Sequence, residues 1–315
     1  MTNTRPLGRS GLSIAPLVLG GNVFGWTADP ATSFAVLDAF VDGGGTMIDT
    51  ADVYSAWVPG HRGGESETVL GDWLRRSGRR DAVLIATKVG MLSGPGGTGL
   101  HPARIAAAID ASLQRLGTDQ IDLYFAHRDD PDVPIADYLG AFDALIRAGK
   151  VRAIGASNFT AARLEEAARV AAAQALTPFT VLQPHYNLLE RNDFETDLLP
   201  VVLDRNIGVV PYAALANGFL TGKYRRTEDL TGARGGRVGQ YLDPRGRAIL
   251  AALDAVAERH DANPARIALA WLMAKPGITA PIASASRPDQ VTDLIAAMNI
   301  VLTPDDIAAL DAAGA

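Results

Sequence analysis

Four side chains of different chemistry stand at or just past the ends of apolar runs. Asp49 closes "TMID", Tyr54 follows in "TADVYS", Lys88 ends "AVLIATK" and His127 ends "IDLYFAH". Singly, each has an ordinary explanation: Asp49 suits a turn or helix cap, Tyr54 a packing role, and His127 a structural one. Lys88 is harder to place, because an ammonium finishing a buried strand is costly unless a carboxylate pairs with it. Jointly they suit reduction of a carbonyl by hydride. A tyrosine hydroxyl, with an unperturbed pKa of about 10, is a poor acid–base group at neutral pH. A cationic lysine beside it would favour the phenolate and lower that pKa by about 1–3 pH units. Asp49 would keep the lysine charged and in place, and His127 would orient the carbonyl or share the proton.

Other chemistries find less support. His61, His101, His127, His185 and His260 show no metal-ligand spacing. No serine sits in a G-x-S-x-G turn. The chain has no cysteine, which removes disulfides, thiolate nucleophiles and Cys-based metal sites. Its net charge of −6 argues against nucleic acid as a partner. No apolar run approaches the roughly 18 residues of a membrane span, and "MTNTRPLGRSGLS" carries no apolar signal core. A cytoplasmic location without a membrane partner is expected.

To converge, the four residues need a scaffold that places successive strand ends around one point. Short β-branched runs at Leu17–Gly20, Thr46–Asp49, Val83–Lys88, Ile121–Phe125, Val151–Gly155, Thr180–Gln183, Gly208–Pro211 and Ala280–Ala283 read as strands. Helical patterns such as "PATSFAVLDAFVDGG" and "HPARIAAAIDASLQRLG" lie between them, closed by glycine. Gly149 after "IADYLGAFDALIRA" reads as a left-handed cap. Eight strands, each followed by helix, predict a (β/α)8 TIM barrel spanning residues 1–315 as one domain, with active-site residues in the loops after the strands. A doubly wound open sheet is the alternative. "RPLGRSGLSI" reads as a hairpin plugging one end of the barrel. Residues Lys223–Arg247 form the longest irregular stretch, expected as a functional loop on the C-terminal face. Gly94, Gly96 and Gly99 match the dinucleotide fingerprint G-x-G-x-x-G, but they begin six residues past Lys88 and do not open a helix. They are expected to give a mobile rim to a substrate pocket.

"IDTADVYS", "TKVG", "YFAHRDDPDVPI" with "LIRAGKVRAIGASNF", "LQPHYNLLER" and "YAALANGFLTGKY" together resemble the aldo-keto reductase superfamily. The resemblance runs from "RPLGRSGLSI" to "LTPDDIAALDA", and its later motifs are similar to the bacterial and channel-β-subunit-like branch. It implies an NADPH-dependent reductase of an aldehyde or ketone, reversible on an alcohol, with Asp49, Tyr54 as general acid, Lys88 and His127 as its catalytic tetrad.

The resemblance also implies how a cofactor would be held. Ser157, Asn158 and Gln183 match residues that contact the nicotinamide carboxamide, although Asn158 alone reads as a helix N-cap. Tyr212 matches the aromatic residue that stacks under the nicotinamide. Leu215, Ala216, Gly218 and Leu220 resemble the family's pyrophosphate strap. In "ASASRPDQVTDL", Ser284, Ser286, Arg287 and Gln290 surround a helix start at Pro288, a plausible anion site. A basic residue there selects NADPH over NADH. Ala283 and Ser284 depart from the Pro-Gly of many relatives. Phe24, Trp26 and Trp57 are the candidate substrate-pocket residues, suited to an apolar or ring-bearing carbonyl compound. Two other readings stay open at this point: an NADPH-binding sensor or regulatory subunit with little turnover, and a barrel hydrolase or isomerase using Asp49 and His127 without nicotinamide.

Overall fold

The computed structural model describes residues 4–230 and 235–314. A two-stranded antiparallel hairpin comes first, β1 (Arg5–Pro6) and β2 (Ser13–Ile14). Eight parallel strands follow: β3 (Val18–Gly20), β4 (Met47–Asp49), β5 (Leu84–Val89), β6 (Ile121–Ala126), β7 (Val151–Ser157), β8 (Val181–Gln183), β9 (Gly208–Val209) and β10 (Ile282–Ala283). They pair in the order β10-β3-β4-β5-β6-β7-β8-β9. Ala280 and Ile282 donate backbone hydrogen bonds to the carbonyls of Val209 and Pro211, which closes the sheet into a barrel. The (β/α)8 architecture expected from the strand pattern is therefore present, and each strand lies within one or two residues of its expected place.

The helices are α1 (Pro30–Asp42), α2 (Glu65–Ser77), α3 (Pro102–Leu116), α4 (Ile135–Arg147), α5 (Ala161–Gln174), α6 (Leu199–Arg205), α7 (Gly235–Val238), α8 (Pro244–Arg259), α9 (Pro264–Ala274), α10 (Pro288–Ala297) and α11 (Pro304–Ala313). Their boundaries follow local chemistry. Asp29, Asp243, Asn263 and Thr303 each cap a helix by accepting from the N–H three residues on, with proline next in sequence. Gly149, at φ +72°, ends the α4 segment in the left-handed conformation expected of it.

Two apolar layers result. The larger lies between the outer faces of the strands and the helices, around Trp73, Tyr124, Phe142 and Trp271. The smaller fills the barrel itself: Val18, Met47, Ala86, Leu123, Phe125, Ala153, Val181, Val210, Ala280 and Ile282. Leu7, Leu12 and Ile14 of the hairpin belong to this interior cluster, so the hairpin does plug the barrel.

Two loop expectations change. The stretch after Lys223 is shorter than it reads, because α8 starts at Pro244 and helical turns form at Thr227–Asp229 and Gly239–Tyr241. Residues 231–234 of that stretch lie outside the described residues. The glycines after Lys88 make a fitted turn rather than a loose rim. Gly94 and Gly97 exchange backbone hydrogen bonds of 3.0 Å. Gly96 has φ +85°, and a Cβ there would sit 2.2 Å from the Ala103 carbonyl oxygen.

The plug docks through an equally tight contact. Gly8 has φ +55°, and a Cβ on it would lie 2.1 Å from the backbone nitrogen of Gly208 in β9. Gly8→Ala is expected to cost about 2 kcal/mol or more through positive-φ strain and displacement of the plug. The measurement is urea unfolding of both proteins, and equal midpoints would contradict the docking role.

Candidate active site

Alternation along each strand builds the site. Side chains two residues apart point to the same face, so the inward position above the apolar interior layer forms a second, upper ring. Met47 is followed by Asp49, Ala86 by Lys88, Phe125 by His127, Gly155 by Ser157, Val181 by Gln183, Val210 by Tyr212 and Ile282 by Ser284. On β3 Gly20 is followed by Asn22. Every strand thus delivers a polar side chain to one level of the barrel mouth.

At this level the four residues singled out by type do meet. Lys88 is wholly buried and its Nζ donates to Asp49 Oδ2 at 2.6 Å, to the Thr50 carbonyl at 2.8 Å and to the Tyr54 hydroxyl at 2.7 Å. The Tyr54 hydroxyl in turn donates to Asp49 Oδ2 at 3.2 Å. The His127 ring lies 6.0 Å from the Tyr54 ring at 73°. Its Nδ1 is buried without a hydrogen-bond partner.

Electrostatics correct one expectation. The lysine was expected to pull the phenol pKa down, but the Tyr54 hydroxyl is held well above its usual value, by burial first and then by Asp49. The carboxylate that neutralises Lys88 cancels its pull, and desolvation then favours the neutral phenol. Burial lowers the Lys88 pKa against the opposing effect of Asp49. Burial and then Lys88 push the His127 imidazole well below its ordinary value.

A polar chain runs from this cluster toward the seventh strand. Gln183 Nε2 donates to Asp49 Oδ1 at 2.9 Å, and Ser157 Oγ donates to the Gln183 carbonyl at 2.9 Å. Asn158, at φ +56°, donates through Nδ2 to the His127 carbonyl at 2.8 Å and accepts from the Tyr212 hydroxyl at 2.7 Å. It does not cap α5, because Thr160 accepts from the Arg163 N–H and takes that place. The Tyr212 ring stacks on His185 at 5.1 Å and 6°.

The remaining candidates divide. Ser284 Oγ donates to Asn22 Oδ1 at 2.5 Å, beside Gly20. Ser286 donates from its N–H to Gln290 Oε1 at 2.8 Å, and Arg287 at the α10 start pairs with the exposed Asp289 at 3.0 Å. Leu215 and Gly218 line a kinked turn, with left-handed backbone at Ala213, Ala216, Asn217 and Gly218. Ala216 and Leu220 are fully buried, so their side chains offer a ligand nothing and only the backbone there can make contact. Phe24 is likewise fully buried and is no pocket wall. Its carbonyl accepts from Ser55 Oγ at 2.9 Å, which braces the Tyr54 loop from behind. Trp26 and the exposed Trp57 meet edge to face at 5.5 Å, and the Trp57 ring lies 6.2 Å from that of Tyr54.

Asn22 and His185 escape a reading by residue type. Alternation finds Asn22, two residues past inward Gly20, and places His185 two residues past Gln183.

Comparison with known sequences bears on the family of the chain. The model of the Aldo/keto reductase family matches residues 16–315. A voltage-gated potassium channel beta-subunit-like protein of Schizosaccharomyces pombe is 34% identical across 98% of this chain and 92% of its own length. An uncharacterized oxidoreductase of Bacillus subtilis is 35% identical across 94% of this chain and 91% of its own. Norsolorinic acid reductase B of Aspergillus parasiticus is 33% identical across 95% of this chain and 81% of its own. With the family model covering nearly the whole chain and such relatives aligned end to end, the chain belongs to the aldo/keto reductase family.

Proposed function

We propose that this chain is an NADPH-dependent reductase of an aldehyde or ketone, running reversibly on the alcohol. The observation that carries the reading is the Tyr54 hydroxyl, bonded to Lys88 and Asp49 and held as a neutral acid next to His127. The barrel mouth fits a nicotinamide dinucleotide. The hydroxyl of Ser157 and the carboxamides of Asn158 and Gln183 stand together, the Tyr212 ring lies beside them, and the start of α10 with Arg287 offers a phosphate its backbone N–H groups and a guanidinium. When bound, such a cofactor supplies the hydride.

The chain's own residues supply the rest. Tyr54 gives its proton to the carbonyl oxygen as negative charge develops there. Lys88, fixed by Asp49 and the Thr50 carbonyl, stabilises the oxygen left on Tyr54 and polarises the hydroxyl beforehand. His127, neutral because burial and Lys88 disfavour its cation, holds the carbonyl oxygen toward Tyr54. Trp26 and Trp57 give the substrate an apolar corner of two perpendicular aromatic rings, which suits a ring-bearing carbonyl compound. In the family as a whole the cofactor is NADPH or NADH, and the choice of NADPH rests on Arg287. A cytoplasmic location belongs to the same reading. Among the described residues no helix is long and apolar enough to cross a membrane.

Three outcomes are expected. Tyr54→Phe lowers carbonyl-dependent NADPH oxidation about 10²- to 10⁴-fold while NADPH binding, followed by tryptophan quenching, stays near wild type. Negligible turnover by the wild-type protein with tight NADPH binding would instead favour a regulatory subunit. Because the Tyr54 pKa is raised, the acid form is lost only above the ordinary tyrosine range, so reduction keeps its proton donor from about pH 6 to about pH 9. A rate that falls with unit slope through neutrality as pH rises would count against Tyr54 as the acid. Arg287→Ala raises KM for NADPH about 10-fold and leaves KM for NADH nearly unchanged, since a charge-assisted phosphate contact is lost. Equal effects on both cofactors would remove the basis for NADPH preference.

A further inference from the structure

Beneath the Tyr54 loop lies a second set of buried charges that the chemistry above does not use. Asp52 and Glu67 are wholly buried and Arg104 is nearly so. Glu67 is well satisfied, accepting from Thr87 Oγ1 at 2.6 Å and from Arg115 Nε at 2.7 Å. Asp52 is not. Its Oδ2 accepts from Arg104 Nη2 at 3.0 Å, while Oδ1 is buried with no hydrogen-bond partner. Burial, then Glu67, push the Asp52 carboxyl up to about 7 against the pull of Arg104 and Arg115. An ion pair of this kind stabilises poorly, because desolvation of both ions offsets their attraction.

Its connections suggest a different use. Asp52 lies two residues before Tyr54, and its backbone N–H donates to the carbonyl of Lys88 at 3.3 Å. Arg104, in the first turn of α3, donates through Nε to the carbonyl of Leu92 at 3.0 Å. The side-chain pair therefore joins the loop that carries Tyr54 to α3 and to the segment just after β5, while the Asp52 backbone ties the same loop to the strand end that carries Lys88. A salt bridge between two such segments constrains their separation in a way that apolar packing, which is non-directional, does not.

We propose that Asp52 and Arg104 are positioning residues for proton transfer: their buried pair fixes the height of the Tyr54 loop over Lys88, and with it the hydrogen bond between Tyr54 and Lys88. The proposal rests on Tyr54 being the proton donor.

The test is steady-state kinetics on the full chain for Asp52→Asn, Arg104→Lys, the double variant Asp52→Asn/Arg104→Met and Tyr54→Phe, with thermal melting of each. Asp52→Asn is expected to lower kcat about 10-fold, as misplacement of a reacting group does, with KM for cofactor and carbonyl within about twofold of wild type. Arg104→Lys keeps a cation opposite Asp52 and is expected to lose less. The double variant removes both buried charges, so it is expected to melt near or above wild type while keeping the loss in kcat. If stability and kcat both return in the double variant, the pair only balances charge and the proposal fails. Wild-type kcat in Asp52→Asn would overturn it equally, and if that variant does not fold, the double variant decides the matter alone. An inactive Tyr54→Phe beside unimpaired Asp52 and Arg104 variants overturns this inference only. An active Tyr54→Phe overturns the proposed function and this inference with it.

Discussion

The site is organised by one costly group, the ammonium of Lys88 with no exposure to solvent. A lysine in that position needs partners for three N–H bonds and a counter-charge. It finds an acceptor for each: Asp49 Oδ2, the Thr50 carbonyl and the Tyr54 hydroxyl. Two of these belong to one short segment, so satisfying the lysine also fixes the path of the chain from β4 into the loop beyond it. The third is the group that gives up a proton under the proposed function. The arrangement that makes the lysine tolerable is thus the same one that orients the hydroxyl.

That placement relies on layers. The apolar residues inside the barrel form a floor, and the hairpin closes it from below with Leu7, Leu12 and Ile14. Polar side chains occur on the next inward level, where a dry floor excludes water from beneath and strengthens the electrostatics above it. The outer layer between strands and helices contributes none of Asp49, Tyr54, Lys88 and His127 but fixes strand tilt and spacing. Asp49 and Gln183, separated by 134 positions, reach hydrogen-bond distance only because four neighbouring strand pairings hold register around the wall.

Much of this was legible in the sequence. Apolar runs ending in Asp49, Lys88 and His127 marked both the strands and the site, because a charged residue finishing a buried strand has few bland explanations. The hairpin and the left-handed cap at Gly149 were equally local signals. What was not legible depended on three-dimensional distance. Phe24 and Trp57 look alike as aromatic residues near the site, yet one is sealed in the core and the other stands at 46% exposure. The acid strength of Tyr54 hinged on the depth at which its hydroxyl is buried and then on Asp49, which residue types alone do not decide. The pairing of Asp52 with Arg104 spans 52 positions and two elements, and neither residue lies in a motif that announces it.

The junction of β3 with β10 bears on how the molecule comes into being. Asn22 and Ser284 share a hydrogen bond although 262 positions separate them, and β3 pairs with β10 directly. Contacts of such sequence separation form late in folding, since loop closure must be paid in entropy before they are gained. As the chain is synthesised, Asp49, Tyr54, Lys88 and His127 are all present long before the strand that completes the barrel. The tetrad can therefore assemble locally among β4, β5 and β6, whereas the region between the first and last strands has no existence until the C-terminal strand arrives. Under the proposed function, an immature chain holds its proton-transfer groups without a finished place for a cofactor.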